Sequence, residues 1–420
     1  MGADFSVEAP ALLAAAKRVA KALDPRKAGQ SAVLVASQDG VQLMAATPQL
    51  CISVPVHGSL TVTTPGSVRG PLQHIFTTLA DYQGMVHLHA VTEVSEPGRL
   101  ALLPALAEPG TQLTLLDKGS SSWEEVTSQI LARREQTTVL SSEALKLVTR
   151  QVAYAAEADP CGHPPLSGVL LTLGDGQLTA TATDVFRLAH ASVPCPASLA
   201  APVVLAPAVL HAVLRVFAHS ETLHLTATVL TEQVIAQEDH PLHKAVPRER
   251  IVRLCVRDAA ASAAAATSTI ELVPIYGTYP DVTKALVPNR TESREVMVRR
   301  AALRAALGTL ISSLGKAWRQ ERITLHITDA MLHLQADSTV IDLPLLPGAS
   351  TEAGEPVSIT LRTDKLKELL DALHAARRIS SDELILHVTK LALHAAPCST
   401  SEGFNVHHIL PTALYFWELT

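Results

Sequence analysis

Apolar residues recur along the chain with two periods, about 3.6 over the longer stretches and 2 over the shorter ones, a pattern that predicts amphipathic helices set among half-buried strands. Three segments open with a short strand and run into a helix: Phe5–Leu23, Thr138–Ala156 and Glu295–Leu314. Their apolar stripes are Leu12, Leu13, Ala16, Val19, Ala20 and Leu23 in the first, Leu145, Val148, Val152 and Ala155 in the second, and Leu303, Ala306, Leu307, Leu310 and Ile311 in the third. Each is followed by an alternating hairpin, Ala32–Ala46 about Asp39-Gly40, Gly168–Thr183 about Gly174-Asp175-Gly176, and Ile323–Ala336 about Thr328-Asp329. Asp-Gly pairs supply the positive φ that tight hairpins require.

A second helix follows in each segment, again beside a strand. These are Pro71–Ala80 before Val86-His87-Leu88, Pro207–Ala218 before Leu223-His224-Leu225, and Thr363–Ala376 before Leu384-Ile385-Leu386. Pro71 and Pro207 sit where a missing N–H costs nothing, and Thr363 or Asp364 is the expected N-cap. The chain therefore reads as six strand–helix–strand–strand units in three pairs, an α+β fold in which one domain, two helices on antiparallel sheets, is used three times. The domains are expected over 1–130, 136–290 and 293–420, with polar junctions near Gln129–Gln136 and Asn289–Ser293. Residues 236–268, with Pro241, Pro247 and an Ala run from Ala259 to Ala266, read as an insertion, either helical or a loop.

Composition adds constraints. Apolar residues make up 47% of the 420 and charged residues 18%, the balance of a globular protein. Aromatics are only 3%, so Leu, Val, Ile and Ala must fill the cores. No apolar run reaches the roughly 18–20 residues that span a bilayer. The N-terminal Ala/Leu run precedes Lys17-Arg18, the reverse of a secretion signal. Met1-Gly2 with Ser6 fits a loose acylation pattern, but Phe5-Ser6-Val7 reads as a strand. Five scattered cysteines (51, 161, 195, 255, 398) form no C-x-x-C pair, which implies reduced thiols, no disulfide framework and a cytoplasmic location.

Charge is unevenly distributed. The six predicted helices carry about +8 in a chain of net −6, leaving about −14 for the rest. Lys17/Lys21, Lys146/Arg150 and Arg300/Arg304 lie one helical turn apart, which places each pair on one face. A solvated face explains any single pair; the shared sign of the helices points to a common basic surface. No recognition helix, zinc finger or stacking platform is visible, so such a surface would meet phosphates independently of sequence.

The middle segment carries a resemblance. Leu166-Ser-Gly-Val-Leu-Leu-Thr-Leu followed by Ala182-Thr-Asp-Val-Phe-Arg-Leu-Ala189 resembles the signature of the bacterial DNA polymerase III β subunit, the sliding clamp, whose second motif usually reads A-T-D-G-H-R-L-A. Gly277-Thr-Tyr-Pro-Asp281 with Val287-Pro288-Asn289, and His408-Ile-Leu-Pro411, are similar to that family's later motifs. The resemblance implies a head-to-tail homodimer closing into a ring, helices lining the hole, around double-stranded DNA. It also implies a peptide-binding pocket that serves the DNA polymerase III catalytic subunit, the clamp loader and repair proteins with clamp-binding peptides. By position that pocket is Leu166, Thr183, Val185, Phe186, Arg187, Leu188, Pro280, Lys284, Ala285, Leu410 and Pro411, with Thr183 and Arg187 fixing orientation.

For DNA the resemblance adds Arg26 and Lys27 to Lys17, Lys21, Lys146, Arg150, Arg300 and Arg304. The dimer interface would join the late strand of the first domain, with Leu113 and Leu115, to the first helix of the third, with Leu310 and Ile311; a core role for the last two is equally open. Three features depart from the family. Val185 and Phe186 replace Gly and His, Thr47-Pro48 stands where the first domain usually repeats Thr-Asp, and Leu414–Thr420 extends past the usual end.

Catalytic chemistry is not in evidence. No G-x-x-x-x-G-K-[ST], G-x-G-x-x-G or G-x-S-x-G pattern occurs. His240/His243, His87/His89 and His407/His408 lack a Cys or carboxylate at ligand spacing, and His326 and His333 read as outward strand residues. Asp184 and Arg187 read as a local ion pair. The expectation is a binding protein without cofactor or metal. A clamp-derived scaffold that does not load on DNA is the alternative, and an enzyme with a His-lined cleft the third reading.

Overall fold

The computed structural model describes residues 4–23, 31–80, 84–89, 112–118, 123–156, 163–234, 248–260, 267–286, 294–347, 356–375, 382–398 and 404–411. The first segment runs β1 (Asp4–Glu8), α1 (Ala9–Ala22), β2 (Ser31–Ser37), β3 (Gly40–Thr47), β4 (Leu50–Pro55), β5 (Leu60–Thr64), β6 (Gly66–Pro71), α2 (Leu72–Leu79), β7 (Met85–His89), β8 (Gln112–Lys118) and β9 (Trp123–Ser141). Next come α3 (Ser142–Val152), β10 (Val169–Gly174), β11 (Gln177–Thr183), β12 (Leu188–Pro194), β13 (Val203–Leu205), α4 (Pro207–Val216), β14 (Thr222–Val234), β15 (Arg248–Asp258), β16 (Thr269–Leu272) and the short α5 (Thr283–Leu286). The last segment is β17 (Arg294–Arg299), α6 (Arg300–Leu314), β18 (Arg322–Ile327), β19 (Met331–Ala336), β20 (Thr339–Pro344), β21 (Val357–Arg362), α7 (Thr363–Ala375), β22 (Glu383–Val388), β23 (Ala392–Pro397) and β24 (Asn405–Pro411). All six expected helices are present.

Local chemistry accounts for these elements. Leu12, Ala15, Ala16, Val19 and Ala22 bury one stripe of α1, and Pro10 lies in its first turn. In β18 and β19 alternate residues are buried, the signature of a sheet covered on one side. The β10–β11 turn puts both Asp175 (φ 51°) and Gly176 (φ 73°) in the left-handed region, as a two-residue hairpin demands. The repeat extends to hydrogen bonds. After β3, the Thr47 hydroxyl accepts the N–H of Gln49 at 3.4 Å; after β11, Thr183 accepts that of Val185 at 3.1 Å.

The chain divides into two compact units: residues 1–145, 173–175 and 196–277, and residues 146–172, 176–195 and 278–420. The first unit holds a nine-stranded sheet, β6-β2-β3-β4-β16-β15-β14-β9-β8, and a three-stranded one, β5-β1-β7. In the second, strands run β10-β11-β12-β24-β23-β22-β17, beside a four-stranded sheet, β20-β19-β18-β21. Two ladders join segments far apart in sequence. Strand β4 pairs with β16 (Ile52 opposite Ile270), and β12 pairs with β24 (Leu188 opposite Ile409).

Two expectations are corrected. Residues 248–258 of the supposed insertion form β15, hydrogen-bonded to β14 on one side and β16 on the other. Ile251, Val252, Leu254 and Val256 are buried there. Residues 235–247 and 261–266 lie outside the described residues. Of the two expected caps of α7, the Thr363 hydroxyl donates to the Glu321 carbonyl at 2.9 Å, and Asp364 accepts the N–H of the adjacent Lys365 at 2.9 Å, one position short of a cap bond. A cap does appear at α6, where Asp382 accepts the N–H of Ala301 on its carboxylate at 3.0 Å, an anion placed at a helix N-terminus.

Candidate functional site

The connection between β11 and β12 is a tight turn held by its own side chains. The Thr183 hydroxyl donates to the Arg187 carbonyl at 2.7 Å, and Asp184 accepts the N–H of Phe186 at 3.1 Å. Val185 is held at φ 74°, a region that β-branched residues avoid. The turn buries Asp184 and Arg187 and leaves Phe186 46% exposed.

Beneath it lies an ionic cluster. Asp184 Oδ2 is 3.0 Å from Arg187 Nε and 2.9 Å from Lys365 Nζ. The Arg187 guanidinium also pairs with Glu368 and stands 5.3 Å over the Tyr154 ring. Tyr154 in turn hydrogen-bonds His408 Nδ1 at 2.7 Å. Burial raises the Tyr154 phenol, with Arg187 opposing. Burial also pushes the His408 imidazole down to about 3, with His407 adding to it. The local Asp184–Arg187 pair is present, and α7 extends it through Lys365 and Glu368, 181 residues away from their partners.

Beside this cluster sits an apolar one. Leu188, Val282, Ala285, Ala392 and Ile409 pack together, with Leu286 partly buried against them. Of the residues expected in the pocket, Leu188 and Ala285 thus share one cluster; Leu166, Leu410 and Pro411 are also buried, Pro280 and Val185 half-buried. The Lys284 side chain lies outside the described residues. Thr183 and Arg187, expected to orient a ligand, spend their polar atoms inside the chain. Val282, Ala392 and Ile409 were missed, although Ile409 sits in a run buried on both faces, Val406 to Pro411 excepting His407.

The basic helices have mixed surroundings. Lys17, Lys21, Arg150 and Arg304 are exposed, while Lys146 and Arg300 are half-buried. Arg304 pairs with Asp371 at 3.1 Å, and Arg300 donates to the Leu373 carbonyl at 3.2 Å. Arg26 and Lys27 lie outside the described residues. Leu310 is fully buried, which fits its core role, whereas Ile311 is half-buried. Ile311 lines a cavity of about 450 Å³ together with Arg300, Arg304, Leu307, Lys367 and Asp371. Leu113 and Leu115 lie on β8, an edge strand among the described residues.

No family model and no curated protein matches the chain by sequence. Solved structures do. The β subunit of DNA polymerase from Streptococcus pyogenes is 19% identical with a TM-score of 0.64, covering 98% of this chain and 100% of its own. The DNA polymerase sliding clamp from Bacillus subtilis is 16% identical at 0.64, covering 98% and 99%. The DNA polymerase sliding clamp from Caulobacter crescentus is 14% identical at 0.66, covering 97% and 99%. This chain has the sliding-clamp fold.

Within the sliding-clamp fold, Val185 becomes informative. Gly adopts positive φ freely, and this chain holds it with a β-branched side chain. Strain of this kind costs about 1–3 kcal/mol, more than the roughly 0.5–1 kcal/mol that Gly loses in chain entropy. Val185→Gly is therefore expected to raise stability by about 1 kcal/mol, read from urea denaturation. A loss of stability would show that the turn carries no strain.

Proposed function

We propose that the chain is a DNA sliding clamp: a non-catalytic, cytoplasmic homodimer that encircles double-stranded DNA and tethers a DNA polymerase III catalytic subunit, a clamp loader and repair proteins. The carrying observation is the sliding-clamp fold extending over the whole length of both this chain and its structural neighbours. The exposed cations of α1, α3 and α6 support a phosphate-contacting role. Three like modules per chain, six in the dimer, are the arrangement this reading requires. Head-to-tail joining is a heterologous contact between two different edges. Strand β8 and strand β20, the latter with Val340 53% exposed, are such edges among the described residues.

Peptide capture would centre on the cluster under Phe186. With the Arg187 guanidinium already paired, selectivity would come from apolar fit around Phe186, Val185 and Leu286. That engagement also favours the second reading, a scaffold with a restricted pocket that does not load on DNA. No helix among the described residues is long and apolar enough to cross a membrane.

Sedimentation with negative-stain imaging tests the assembly. The expected result is a species of twice the chain mass whose class averages show a closed ring. A monomer at micromolar concentration, or an open particle, would remove the clamp reading.

A further inference from the structure

The four-stranded sheet of the second unit turns one face toward α6, burying Ile323, Leu325, Leu332 and Leu334. On its other face a row of polar side chains crosses all four strands: Ser358 on β21, His326 on β18, His333 on β19 and Asp342 on β20, each opposite the next in register. We propose that His326 and His333 form a two-imidazole site for a divalent transition metal of the zinc, nickel or copper class.

The argument is geometric. The two ring centroids are 5.7 Å apart with planes inclined by 31°. A ring ligating zinc at about 2.1 Å has its centroid about 3.2 Å from the ion, so two rings sharing one ion stand at most about 6.4 Å apart. The pair at His326 and His333 falls inside that limit. The comparable cross-strand pair His190 and His407, at 6.5 Å, would reach one ion only with the two nitrogens in line across it.

The outer partners are those a metal site uses. His333 Nδ1 is 2.7 Å from Asp342 Oδ1, and His326 Nδ1 is 2.6 Å from Ser358 Oγ. With the ring protons on Nδ1, both Nε2 lone pairs are left for an ion, and the Asp342 carboxylate strengthens its imidazole as a ligand. His333 Nε2 faces the Thr328 hydroxyl at 3.4 Å, and that hydroxyl donates to the Met331 carbonyl at 3.2 Å. An ion bound there would take the place of the Thr328 hydroxyl at His333 Nε2. Among the described residues no group of three or more His, Cys, Asp or Glu is set to hold a metal. The remaining positions on the ion therefore fall to water or to a donor from a second molecule, which makes this a site for bridging rather than a closed structural cage.

Calorimetric titration of the full chain with Zn²⁺ or Ni²⁺ alone at pH 7.5 tests the site. One equivalent is expected, weakened at least tenfold in both His326→Gln and His333→Gln, and about 10–100-fold in Asp342→Asn, with His407→Gln unchanged. Circular dichroism confirms folding, and the two single-His variants read the same site independently. Affinity unaffected by either, or lost in His407→Gln instead, overturns the assignment. Ring formation does not enter these readouts, so the two proposals fail separately.

Discussion

Replacing Glu232 by Ala is expected to destabilise the first unit by about 3–5 kcal/mol, the cost of breaking a buried ion pair from one side. Glu232 is fully buried on β14, between β9 and β15. Its Oε1 accepts from Arg248 Nε at 3.0 Å and its Oε2 accepts from Arg250 Nη2 at 2.7 Å. The Arg250 guanidinium also stands 5.0 Å over Tyr276, which packs on Ile130, Leu230 and Val252. Removing the carboxylate leaves two guanidinium groups facing each other at the edge of that core. The neighbouring Arg134–Glu249 pair, 2.8 Å apart with side chains 48% and 36% exposed, is the control. Glu249→Ala should cost less than about 1 kcal/mol. Equal losses in denaturant titrations of the two variants would contradict this account.

Acid should unfold the second unit well before carboxylates titrate. Burial, with His407 adding, holds His190 down to about 4. Burial with His387 and His407 does the same to His394, also to about 4, and burial with His407 takes His408 to about 3. Each folded value lies below the ordinary 6.5, so below pH 6.5 the unfolded chain takes up protons that the native one refuses. Their contribution is absent above pH 6.5, and stability is lost as pH falls from there toward 4. Near pH 5 the three together give a slope of about 4 kcal/mol per pH unit, about 1.4 for each. The other groups in their row are Thr181, which hydrogen-bonds His190 Nδ1 at 2.9 Å, and His387, 3.6 Å from Glu295. Urea midpoints measured from pH 7.5 to 4.5 should show the fall. His394→Gln should remove about one proton from it, and a flat profile would rule it out.

The periodic elements were legible because their causes are local. The α1 stripe, the Asp175-Gly176 turn and the twin threonine turns after β3 and β11 are each fixed by residues within a few positions. What sequence could not show is pairing over distance. Nothing in Leu50–Ser53 announces Thr269–Leu272 as a neighbour, yet that ladder joins the first segment to the second. The same holds at the turn of residues 183–188. Its outline followed from the motif, but Lys365 and Glu368 approach only because α7 folds against it. Strand β15 was hidden for another reason. Pro241, Pro247 and the Ala run on either side made residues 248–258 look like part of an insertion, and Glu232 and Glu271, the partners of Arg248, Arg250 and Arg253, appear only once β14 and β16 are alongside.

Retention on topologically closed DNA measures the proposed function most directly. Protein assembled on a nicked circular plasmid and on the same plasmid linearised is passed through a sizing column in high salt, where phosphate contacts no longer hold. Encirclement predicts that the protein stays with the circle and leaves the linear form. Equal loss from both would contradict it, since contact alone, without a closed ring, cannot tell the two apart.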